Sequence, residues 1–173
     1  MFKKILKGYS WFRENNLIHR DLKLQNIFMK GEEPILSDFG TVRALHEELR
    51  VNKDPDEMSP RPFTRTILSS EQVRDEPYGV PVDIWGLGLI LYQMIYGIHP
   101  FVTSKEIESQ RNIDEMRFQK PDVEPLISPV CKELIYSMLQ KDPEKRITWD
   151  DLINHKVLNP EFSYANPLLS DKI

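Results

Sequence analysis

Apolar residues at Phe2, Ile5, Leu6, Tyr9 and Phe12 recur at the spacing of one helix face, so the pattern predicts an amphipathic helix from residue 2 to about 14. Asn15-Asn16 stops it. Leu17-Ile18 reads as a short strand. Asn26–Met29 and Pro34–Ser37 read as two more, joined into a hairpin through Gly31-Glu32-Glu33. The hairpin has a chemical consequence, because it returns Asp38 to the neighbourhood of Asn26.

Periodicity then lapses. Residues 41–70 carry Pro55, Pro60 and Pro62, and a stretch of that length without regular structure inside a compact domain is functional or disordered. Val82 to Tyr96 follows as a strongly apolar helix, closed by Gly97 with Pro100 just beyond. A more polar helix is expected from about Thr103 to Ile113. Ser128-Pro129 has the form of an N-cap and first helical residue, with Val130, Leu134, Ile135, Met138 and Leu139 as the buried stripe. Thr148-Trp149-Asp150-Asp151 resembles a capping box that opens a last helix through Leu152 and Ile153. Past Leu158 the Pro- and Ser-containing tail is expected to be loosely held.

Composition narrows the class. A chain of 173 residues fits one domain, and 40% hydrophobic with 29% charged residues is ordinary for a globular protein. A net charge of −4, with basic residues scattered, argues against a nucleic-acid-binding surface. Lys3, Lys4 and Lys7 read as the wet face of the first helix. The apolar run Ile84–Ile98 is interrupted by Gln93 and three glycines, which suits a buried helix and no membrane span. The N-terminus lacks the apolar middle of a signal peptide, and the single Cys131 suits a reducing compartment, so cytosol or nucleus is the expected location.

The candidate chemistry sits in His19-Arg20-Asp21-Leu22-Lys23-Leu24-Gln25-Asn26 and in Asp38-Phe39-Gly40. Taken singly, each residue has a bland reading: a capping aspartate, a surface lysine, an asparagine or aspartate in a turn, a core histidine or phenylalanine. Together they supply a base, a point charge and two hard oxygen donors, which is what phosphoryl transfer from Mg-ATP needs. Here the chain resembles the eukaryotic protein kinase family, of the serine/threonine type. The resemblance implies Asp21 as the base for a protein substrate's hydroxyl and Lys23 as a phosphate-charge partner. It further implies Asn26 and Asp38 as the Mg²⁺ ligands and Phe28, with Ile90 and Met94, beneath the adenine of ATP.

Supporting roles come from the same resemblance. His19 and Phe39 would stack as part of a spine. Asp83 in Asp83-Ile84-Trp85-Gly86-Leu87-Gly88, where glycine stands for the family's usual serine, would accept backbone hydrogen bonds from the 19–26 loop. Glu71 would pair with Arg146. Thr64 would contact Asp21 and Lys23, and Arg20 would bind a phosphate on the 41–70 segment, with Ser59 as the candidate acceptor.

The resemblance also has gaps. Leu24 replaces a usual proline, Ser69-Ser70-Glu71 replaces A-P-E, and Ile67 replaces a common tyrosine. No G-x-G-x-x-G opens a phosphate-covering loop, and no V-A-x-K supplies the paired lysine. The expected fold is therefore α-rich (α+β): a protein kinase C-terminal lobe over residues 1–158, with a short β-hairpin carrying the catalytic and metal-binding loops, and a tail at 159–173. Two functions are compatible with it, a serine/threonine kinase lobe and a non-catalytic module that binds proteins. Either would leave an exposed lobe interface for a partner.

Overall fold

The computed structural model describes residues 1–45, 68–74, 76 and 78–158. Helix α1 (Phe2–Glu14) buries Phe2, Ile5, Leu6, Tyr9 and Phe12, the stripe that its spacing predicts. Asn16 takes a positive φ of 53°, which asparagine tolerates better than most side chains, and turns the chain into β1 (Leu17–Ile18). Strands β2 (Ile27–Lys30) and β3 (Glu33–Leu36) form the hairpin, pairing Ile27 with Leu36 and Lys30 with Glu33. Both lie within one residue of expectation. Gly31, at φ 62°, supplies the turn. Strand β4 (Arg43–Ala44) returns antiparallel to β1, a pairing the local pattern did not suggest.

The rest is helical. After the four-residue α2 (Ser70–Val73), helix α3 (Val80–Tyr96) is buried almost all round from Val82 to Tyr92, as expected of a helix enclosed by others. It begins two residues earlier than periodicity predicts, because Pro81 is well placed in a first turn and extends the helix backward. Gly97 ends it at φ 73°. Helix α4 (Glu106–Asp114) starts later than Thr103. The Thr103 hydroxyl instead accepts from Lys105 N–H at 3.2 Å and donates to Lys105 O at 3.0 Å, which holds that stretch as a turn.

Helix α5 (Pro129–Met138) is capped by Ser128, whose hydroxyl accepts from Cys131 N–H at 3.2 Å. Its stripe is buried except Val130, which is half-buried. Helix α6 (Trp149–Ile153) is capped by Thr148, which accepts from Asp151 N–H at 3.2 Å. Asp151 returns the contact to the Thr148 hydroxyl, at 2.7 Å, so the reciprocal half of the expected box runs through the side chain. One apolar cluster links α1, α3, α5 and α6. Helices α1 and α3 bring its edge against the 19–26 loop and the hairpin.

His99, in the loop after α3, makes the fold sensitive to acid. Its Nδ1 accepts from the N–H groups of Phe101 and Val102, both at 3.2 Å, while Nε2 is buried without a partner among the described residues. Burial lowers its pKa from 6.5 to about 4, so the folded protein holds the ring neutral where the unfolded chain protonates it. This contribution is present above pH 6.5 and is lost as pH falls toward 4, by at most about 3 kcal/mol. In His99→Asn, which keeps an acceptor but does not titrate, denaturant unfolding should lose less stability than wild type between those two pH values. Parallel pH curves would contradict this.

Candidate active site

Asp83, in the first turn of α3, organises the 19–26 loop, which holds the candidate residues. It is 1% exposed, and burying a carboxylate without partners would be costly. His19 N–H and Arg20 N–H donate to its two oxygens at 2.6 and 2.7 Å, as the motif implies. Tyr9 Oη, from the buried face of α1, adds a third donor at 2.7 Å. Motif reasoning missed Tyr9, since the residue looks like any other member of an apolar stripe. Burial pushes the Asp83 carboxyl above its ordinary range, and the bonds from His19, Tyr9 and Arg20 act in the opposite direction. Burial, reinforced by the Asp83 charge, also holds the Tyr9 hydroxyl well above its usual pKa, so Tyr9 remains a donor.

Arg20 has a positive φ of 71°, a strained conformation held by hydrogen bonds from its backbone and side chain. Its Nε donates to Thr41 O at 2.5 Å and Nη1 to Tyr78 Oη at 3.1 Å, while Thr41 Oγ1 donates to His19 O at 2.7 Å. The 19–26 loop is thereby tied to the Asp38-Phe39-Gly40 segment and to the residues before α3. Behind the loop lies Gly86. A Cβ there would stand 2.8 Å from Leu22 Cβ and 2.9 Å from Leu22 O, so the substitution of glycine for serine lets α3 approach the loop backbone directly.

Held from behind, the loop brings three of the predicted residues, Asp21, Lys23 and Asn26, into direct contact. Asp21 is 5% exposed and Asn26 6%. Asp21 Oδ2 accepts from Lys23 Nζ at 2.8 Å and from Asn26 Nδ2 at 3.0 Å. Asn26 Nδ2 also donates to Asp21 O at 2.9 Å, which commits its nitrogen and leaves its side-chain oxygen as an acceptor. Asp21 Oδ1 is buried with no hydrogen-bond partner among the described residues. The hairpin does what its length suggests. Ser37 donates through both N–H and Oγ to Asn26 O at 3.0 Å, which anchors the residue next to Asp38 beside Asn26. Asp38 sits at φ 63° with its side chain exposed and free of hydrogen bonds among the described residues.

The donor chemistry fits a magnesium ion. The Asn26 side-chain oxygen and the Asp38 carboxylate are hard oxygen donors, and Mg²⁺ needs few protein ligands because it keeps water and takes phosphate oxygens. Among the described residues no group of three His, Cys, Asp or Glu side chains could hold a metal alone.

The remaining predicted residues are placed as follows. His19 and Phe39 are in contact with ring centroids 6.0 Å apart, each also touching Phe12. His19 is fully buried, but Phe39 is 58% exposed and Phe28 62% exposed, so neither phenylalanine is the core residue its apolar character suggested. Ile90 is buried and Met94 half-buried. Gly40 is exposed beside Asp38. Glu71 and Arg146 pair bidentately at 2.6 and 3.0 Å in the interior, whatever the letters before Glu71. Ser69 instead caps α2 in a capping box with Gln72, and Ser70 Oγ donates to Lys141 O. Ser59, Thr64, Ile67 and the 159–173 tail lie outside the described residues.

Comparison with known proteins gives the class to which this arrangement belongs. The protein kinase domain family matches residues 1–158, and the chain belongs to that family. Relatives include the serine/threonine-protein kinase atg1 of Dictyostelium discoideum, 35% identical over 91% of this chain and 23% of the relative. Serine/threonine-protein kinase PLK2 of Mus musculus is 36% identical over 88% of this chain and 21% of its own length. The calcium/calmodulin-dependent protein kinase type II subunit delta of Oryctolagus cuniculus is 32% identical over 95% and 31%. The chain thus spans less than a third of the length of these relatives.

Proposed function

We propose that this chain is the helical C-terminal lobe of a serine/threonine protein kinase, which transfers the γ-phosphate of ATP to a Ser or Thr hydroxyl of a protein. One observation carries the reading: Asp21 has one oxygen held by Lys23 and Asn26 and the other buried with no hydrogen-bond partner among the described residues. An unsatisfied buried acceptor is costly, and a substrate hydroxyl would satisfy it. As the hydroxyl oxygen bonds to the γ-phosphorus and the bond to ADP breaks, the hydroxyl proton passes to Asp21. Lys23 orients that carboxylate and supplies positive charge beside the transferred group. Asn26 and Asp38 would hold Mg²⁺, whose chemistry when bound is neutralisation of phosphate charge.

The test is transfer from radiolabelled Mg-ATP to Ser and Thr peptides. Asp38→Asn should raise the Mg²⁺ needed for half-maximal transfer by at least the ~10–100-fold that even outer-shell changes cost a metal site. Unchanged Mg²⁺ dependence would remove Asp38 from the role. Gly86→Ala is expected to cost about 1–3 kcal/mol of stability through overpacking. In folded protein it should also slow transfer about a hundredfold, because Leu22 must move and carries Asp21 and Lys23 with it. Equal activity in that variant would show that the close approach is irrelevant to the site.

A second reading has its own observation. Trp11, Ile35 and Phe39, at 55%, 46% and 58% exposure, line a cleft of about 500 Å³ between α1 and β3. Exposed apolar surface of that kind marks a binding face, and absence of any transfer would favour a non-catalytic protein-binding module.

A further inference from the structure

Helix α1 carries three cations without ion-pair partners among the described residues, although a neighbour on the same helix has one. Lys4 pairs with Glu33 at 2.7 Å and also donates to Glu32 O. Among the described residues Lys3, Lys7 and Arg13 make no such ion pair, although the Lys7 charge also acts on Glu33. Arg13 is the most telling, because its Nε and Nη1 are shut off from solvent and have no acceptor among the described residues. Arg146 shows what this chain does with a buried guanidinium when the fold itself satisfies it: all three nitrogens bond to carboxylate or carbonyl oxygens. Leaving buried donors unmatched is costly, and among the described residues the Arg13 guanidinium has no anion.

All three cations line one cleft of about 550 Å³ between α1 and α6. From α6 come Trp149 and Ile153, the latter 44% exposed, and Leu6 adds apolar surface from α1. Glu14 is the sole carboxylate in the lining, so the cleft is cationic on a chain whose net charge is −4. Lys3 and Arg13 are separated by about 15 Å along the helix, too far for one compact anion to reach both. Lys3 and Lys7 are about 6 Å apart. That matches the ~6.6 Å repeat of same-side residues in an extended chain, whose alternate side chains point the other way.

We propose that the α1–α6 cleft docks an extended acidic peptide segment of a partner protein, its carboxylates facing α1 and the intervening apolar side chains facing α6. The probe is a fluorescent Glu-Leu-Glu-Phe-Glu peptide followed by anisotropy. Saturable binding is expected, weakening as salt is raised. It should weaken at least about tenfold in Lys3→Glu/Lys7→Glu, both surface positions, and Ile153→Ser should weaken it too. The Gln-Leu-Gln-Phe-Gln peptide should bind at least about tenfold more weakly to wild type, a comparison that needs no variant to fold. No saturable binding at roughly millimolar peptide would overturn the proposal, as would indifference to the lysine reversals in variants with wild-type thermal midpoints. Equal competition by a single-stranded oligonucleotide of the same charge would overturn it in favour of a nucleic-acid ligand.

Discussion

Asp21→Asn should lower phosphotransfer about 10²–10⁴-fold, the range that a positioned general base contributes, while leaving ATP affinity within about twofold. The substitution preserves shape. An amide oxygen can still accept from Lys23 and Asn26, which reach Asp21 Oδ2 at 2.8 and 3.0 Å. It removes the carboxylate's ability to take up a proton, and it puts an NH₂ group at the position of Oδ1, which has no partner among the described residues. Single-turnover transfer to a Ser peptide, with ATP binding measured separately, separates the two effects. Full transfer in the variant would rule Asp21 out as the base. Loss of ATP affinity matching the loss of rate would instead make it a binding residue.

Arg146→Ala is expected to destabilise the fold by about 3–5 kcal/mol, as removal of one partner from a buried ion pair does. The side chains of Arg146 and Glu71 are 0% and 2% exposed. Loss of the guanidinium leaves a bare buried carboxylate and also strips donors from Pro81 O at 2.6 Å and Gln140 O at 3.0 Å. The stack of Arg146 over Trp85, 5.2 Å from the ring centroid, goes with it. For a chain of this size the thermal midpoint should fall by roughly 6–20 °C. Glu71→Ala should cost a similar amount, and the double variant less than the sum, because the second substitution removes the charge that the first stranded. Additive losses would mean that the two residues act independently. The pair spans 75 positions and ties α2, ahead of α3, to the segment before α6, so the effect should also reach the geometry around Arg20 and Tyr78.

The chain made its local elements readable where one period or cap governs them. The stripe of α1, the hairpin with Gly31 at its turn, and the caps at Ser128 and Thr148 follow from propensities that act within a few residues. The Asp83 and Arg146 contacts were readable for a different reason: recognisable motifs name partners that composition cannot. Tyr9 escaped because its hydroxyl has a role only once Asp83 is packed against it, 74 positions away. Phe28 and Phe39 escaped because hydrophobicity predicts burial only where the fold brings something to cover a side chain, and at these two positions among the described residues it does not.

By itself the sequence determined where helices and turns form, which residue types could do phosphoryl chemistry, and the family that orders them so. Tertiary structure alone decided how close those residues stand. Gly86 admits the Leu22 backbone, Asp83 gathers two backbone donors and a tyrosine, and Ser37 clips the Asp38 segment to Asn26. The reason is physical: helix and turn preferences are set by near neighbours, whereas these contacts depend on packing between segments distant in the chain, whose ordering local preferences do not encode.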